Sequence, residues 1–116
     1  MSVDDMVRAY CVAERILRGD AYASQIVWNE EVRGRFIEWM QANGRTPEYI
    51  ADCVRYLDRY MRAVEGPSDV VEIFSRCERG KPHLAKAFRA LLNYYEAVGG
   101  SADLLEQLRG AVAMLE

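Results

Sequence analysis

Residues 36–61 read FIEWMQANGRTPEYIADCVRYLDRYM, and the punctuation inside this run sets the fold class. Asn43-Gly44 stops one helix, and Thr46-Pro47 opens another two residues later. Thr46 can cap, while Pro47 suits the first helical position, where a missing N–H costs nothing. Glu48 then lies at the positive end of the helix dipole. Tyr49, Ile50, Cys53, Val54, Leu57, Tyr60 and Met61 recur at three-to-four spacing, which predicts one continuous buried face. Upstream of the stop, Val32, Phe36, Trp39 and Met40 form the apolar face of a helix starting at Ser24 or Asn29 and ending at Ala42.

The same reading extends outward in both directions. Gly66-Pro67 breaks the chain, and Ser68 or Asp69 opens a short helix through Val70, Val71, Ile73 and Phe74 that ends near Gly80. Pro82 begins the next, with Leu84, Ala87, Phe88, Leu91, Leu92 and Tyr95 inward, and Gly99-Gly100 closes it. Ser101 and Asp103 start a last helix, whose inward positions are Leu104, Leu105, Leu108, Val112 and Leu115. At the other end, a helix is predicted from Val3 to Arg18, capped by Ser2 and striped by Met6, Tyr10, Ala13 and Leu17. No alternating strand and no internal repeat interrupts the pattern. The expected architecture is all-α: a compact bundle of five to six short helices forming one domain over residues 1–116.

Composition agrees with that picture. Of 116 residues 51% are hydrophobic, enough to build a core without metals or disulfides. The apolar stretches fall far short of the roughly 20 residues that span a bilayer. Asp4 and Asp5 stand where a signal peptide carries Lys or Arg, so a cytoplasmic protein away from membranes is expected. Cys11, Cys53 and Cys77 are odd in number and widely spaced, which gives neither a disulfide framework nor a metal-ligand pattern. No cofactor is implied.

Catalytic chemistry finds little to work with. The one histidine, His83, sits beside Lys81, Pro82 and Lys86 at a helix start, a surface setting that suits a solvated side chain first, and a phosphate or base contact next, better than a triad. The acid pairs Asp4-Asp5 and Glu30-Glu31 lie at helix starts, where the dipole accounts for them. Gly99-Gly100 lacks the lysine of a phosphate loop and reads as a helix stop.

Charge is more informative. The net charge is −3, yet residues 45–89 hold nine basic and seven acidic side chains while both flanks are negative. Between Arg79 and Arg89 lie Lys81 and Lys86 and no acid. Such a local patch governs encounter with a polyanion more than total charge does. Arg55, Arg59 and Arg62 share a helix face opposite the apolar stripe, with Asp52 and Asp58 near enough to pair with them. Lys86, Arg89 and Asn93 recur on the outer face of the later helix, with no acid of that helix beside them before Glu96. With Lys81 and His83 they make a basic helix start that is suited to phosphate.

The run at 36–61, a short helix, and GKPHLAKAFRALLNYYEAVGG at 80–100 together resemble the core-binding domain of phage-integrase-type tyrosine recombinases. Ala90-Leu91-Leu92-Asn93-Tyr94-Tyr95 brings it near the archaeal branch. The likeness runs from about Val32 to Leu115, so a core-binding-like bundle over 29–115 would follow an extra N-terminal helix over 1–22. The resemblance implies a SAM-like bundle that clamps one face of duplex DNA while a separate C-terminal domain cuts it. By matching position, Arg45, Thr46, Arg55 and Arg59 on one helix and Lys81, Lys86 and Arg89 on the other would face DNA. The family's arginines, downstream histidine and tyrosine nucleophile belong to that second domain, and nothing after Gly100 supplies them.

The expected function is therefore non-catalytic DNA binding within a recombinase or integrase. Duplex DNA, other recombinase protomers and a C-terminal catalytic domain would be its partners. The alternative is a helical protein-interaction or oligomerisation module that never meets DNA; an exposed apolar patch at Val27, Trp28 or the last helix would mark it. A helical regulator that binds a small molecule would need an apolar cavity.

Overall fold

The computed structural model describes residues 25–115. The helix expected at 3–18, with Cys11, lies outside them. Among the described residues five helices follow one another: α1 (Glu30–Ala42), α2 (Pro47–Tyr60), α3 (Pro67–Arg76), α4 (Lys81–Ala97) and α5 (Ala102–Leu115). The all-α bundle expected from the sequence is present.

Local chemistry explains where the helices begin. Asn29 caps α1, its side-chain oxygen accepting from the Val32 N–H at 2.8 Å. Gly44, at φ 77, turns the chain out of α1. Thr46 caps α2 by accepting from the Tyr49 N–H at 3.2 Å, with Pro47 at the first helical position. The start of α3 departs from expectation by one or two residues. Pro67 opens it, no side chain caps it from Gly66, and Asp69 reaches back to accept from the Glu65 N–H at 2.8 Å.

The end of α2 also departs from expectation. Met61 fits the spacing of the buried stripe, yet the helix stops at Tyr60 and Met61 is extended (φ −73, ψ 141). A contact distant in sequence takes over. Ile26 and Val64 form an antiparallel bridge, exchanging two N–H···O bonds of 2.8 Å, and both side chains are buried. The segment after α2 is drawn into this pairing and cannot continue as helix.

α4 forms the centre of the core and packs against α1, α2 and α5, while α5 also covers α3. Leu84, Phe88, Leu91, Leu92 and Tyr95 of α4 are buried against Phe36, Leu57 and Phe74. Phe74 meets Phe88 edge-on at 6.2 Å, and Phe36 meets Tyr94 likewise at 6.0 Å. No charged side chain is buried among the described residues. The charges there lie at the surface or only partly below it. No helix among these residues is long and apolar enough to cross a membrane, and no group of three or more His, Cys, Asp or Glu could hold a metal ion.

Candidate nucleic-acid interface

Because α2 lies against α4, the outer face of one helix borders the first turns of the other. Asp52 of α2 is the hub. Lys86 of α4 donates to its carboxylate at 2.6 Å, Arg55 donates to the other oxygen at 2.6 Å, and His83 Nδ1 stands 3.7 Å away. The hydrogen bond from Lys86 holds the Asp52 carboxyl below its ordinary value, against partial burial, and the charges of Lys86, Arg55 and His83 add to it. The same bond holds the Lys86 ammonium above its ordinary value. Lys86 therefore does not stand unopposed, as reading its own helix alone suggests. Its acid comes from α2.

To one side of Asp52 lies an arginine groove of about 480 Å³. Tyr56 and Tyr60, stacked at 6.2 Å, form its floor, and His83 stacks on Tyr56 at 5.7 Å. Arg55 and Arg59 of α2 line one wall; Arg76, Glu78 and Arg79, at and after the end of α3, line the other. Arg55 lies over the Tyr56 ring and Arg59 over the Tyr60 ring, each at 5.4 Å. Arg76 donates to the Tyr60 carbonyl at 3.1 Å. Arg59, Arg76 and Arg79 have no carboxylate within ion-pair distance among the described residues.

The wall formed by the connection between α3 and α4 is held close by Gly80. Its φ is 83, and a Cβ there would strike the Tyr56 hydroxyl and lie 3.1 Å from the ring's Cζ. The left-handed φ favours glycine, and a side chain there would have to push the end of Tyr56 aside. The buried Cys77 thiol donates to the Arg79 carbonyl at 3.1 Å, which fixes the same turn.

To the other side of Asp52 a smaller cleft of about 310 Å³ is lined by Trp39, Arg45, Tyr49, Lys86, Arg89 and Asn93, among others. Arg45 lies over the Tyr49 ring at 5.1 Å and Lys86 at 5.0 Å. The eight residues singled out by sequence thus divide. Arg55 and Arg59 line the arginine groove; Arg45, Lys86 and Arg89 line the cleft; His83 stacks on Tyr56 and is part of neither lining. Lys81 is exposed at the first position of α4. Thr46 is also exposed, and its hydroxyl oxygen serves the cap.

Sequence reasoning overlooked Tyr56 and Arg76, counted Arg79 in the basic stretch but not among the DNA-facing residues, and assigned Tyr60 to the core, where it is only partly buried. The signal available was Tyr56 and Tyr60 at i, i+4, each preceded by an arginine. The expected pairing of the α2 arginines holds in part. Arg55 takes Asp52, but Asp58 turns to Arg33 Nε (3.2 Å) and the Trp28 indole N–H (2.8 Å), leaving Arg59 without it. Arg62 pairs with Glu72 of α3. Val27 and Trp28 pack against the core and form no exposed apolar patch. On α5 the exposed large hydrophobic residue is Met114 alone.

No protein family, characterised protein or solved structure matches the chain.

Proposed function

We propose that this chain is a non-catalytic domain that binds duplex DNA through the face formed by α2 and the start of α4. One observation supports this most directly: Arg59, Arg76 and Arg79 converge on a tyrosine-floored groove with no carboxylate partner among the described residues. Guanidinium groups that do not spend their charge within the fold are available to phosphate, which they can meet with paired N–H donors. Contacts of this kind fix position and affinity on DNA, and base choice is left to few side chains. The resemblance to recombinase core-binding domains gives the setting: a cytoplasmic integrase or recombinase whose cutting is done by another domain, with other protomers alongside.

The test is duplex binding by fluorescence anisotropy between about 50 and 200 mM salt. Neutralising about four phosphates should weaken binding roughly 10²-fold over that range. Exchange of Arg59 and Arg79 for Glu should abolish it. Absence of binding at the lowest salt would sink the reading in favour of a protein-interaction module.

A further inference from the structure

We infer that the arginine groove between α2 and the turn after α3 is a site for two or more adjacent phosphate groups, the chemistry shared by a phosphodiester backbone and inorganic polyphosphate. The inference rests on the DNA reading for its natural occupant, consecutive phosphates of one strand.

Four guanidiniums line it, and three of them lack a carboxylate among the described residues. Like charges gathered along one groove repel one another, and a bound anion would offset that repulsion. Arg59 and Arg76 are nonetheless held in place without being neutralised, Arg59 on the Tyr60 ring and Arg76 by its bond to the Tyr60 carbonyl. That arrangement lowers the ordering cost of binding. The groove's volume of about 480 Å³ leaves room for more than one phosphate group. Arginine, with its forked donors, matches the oxygens of neighbouring phosphates better than lysine would. Glu78, which also lines the groove, repels anions and so limits affinity.

The experiment is thermal unfolding of the whole chain in inorganic tripolyphosphate, against sodium chloride of equal ionic strength. The parent should gain about 5 °C at saturation. Arg59→Gln with Arg79→Gln should lose most of that gain and melt no lower than the parent without anion, since both side chains are exposed and lack carboxylate partners. Arg35→Gln, on α1 and paired with Glu31, should keep the gain, and Glu78→Gln should enlarge it. A parent that melts alike in both salts, or a double variant that keeps the gain, overturns the site. Duplex binding that tripolyphosphate does not displace and the double variant does not weaken also overturns it, and assigns duplex binding to other residues. A tripolyphosphate gain without duplex binding supports the groove as a free-polyphosphate site and removes the DNA reading instead.

Discussion

Lys86 on α4 and Asp52 on α2 meet at 2.6 Å, and their ion pair divides the basic face into an arginine groove and a smaller cleft. Asp52 is held below its ordinary 3.8 first by that hydrogen bond. A carboxyl with a lowered folded pKa stabilises the protein above the unfolded value, and the contribution is lost as pH falls through the folded one. Lys86, held above 10.5, contributes fully below that value and loses its share as pH climbs through the raised one. Urea unfolding should therefore show no loss from this pair across neutral pH and a fall below about pH 4. Asp52→Asn should cost about 1 kcal/mol at pH 7, since the pair is partly solvated, and should flatten the acid limb. By freeing Lys86 and Arg55, the same change should tighten duplex binding. A variant with the parent's acid limb would refute the assignment.

The helix boundaries around 43–47 were legible because capping is local. Thr46-Pro47 and Asn43-Gly44 each act within a turn, and both lie where the sequence put them. The end of α2 was not legible, because Met61 obeys the stripe while Val64 answers to Ile26. Charge partners fared the same way. Helical spacing put Arg55, Arg59 and Arg62 on one face, yet the acids that select among them come from other elements. Glu72 of α3 takes Arg62, Trp28 and Arg33 hold Asp58, and Arg59 is left to Tyr60. Periodicity fixes which way a side chain faces, and the tertiary neighbours fix whether its charge is spent.

Gly80→Ala tests how the groove is closed. The substitution carries a left-handed φ of 83 and pushes a methyl group against Tyr56. It should cost about 1–2 kcal/mol in urea unfolding. Removing the ring in Gly80→Ala/Tyr56→Ala relieves the clash and leaves the backbone strain, so the two losses should add up to more than the double variant shows. Strict additivity would mean that Tyr56 and Gly80 do not press on each other.

Tyr95 ties the segment ahead of α1 to the core. Its hydroxyl accepts from the Val27 N–H at 3.1 Å and donates to the Val27 carbonyl at 2.9 Å, and its ring is buried. Tyr95→Phe leaves both Val27 groups without that partner and should cost about 2 kcal/mol. The neighbouring Ile26–Val64 bridge should open with it. Hydrogen exchange at the Ile26 and Val64 amides should quicken more than at Leu91 in the core. Equal protection in parent and variant would show that the bridge stands without Tyr95.

Arg59 and Arg62 lie on the same helical face or just beyond its end, and their different partners predict different roles. Arg62 spends its charge on Glu72, both side chains half-exposed, so Arg62→Gln should change stability by less than about 1 kcal/mol. Lying outside the groove lining, it should leave duplex affinity nearly unchanged. Arg59 has no such acid among the described residues and lines the groove, so Arg59→Gln should be neutral in stability. It should also weaken duplex binding and lower the slope of log affinity against log salt by about 1, the loss of one phosphate contact. Anisotropy titrations of both variants across the salt series decide the matter. Equal effects would mean that DNA senses only net charge. A larger loss for Arg62 would move the contact surface away from the groove, toward α3.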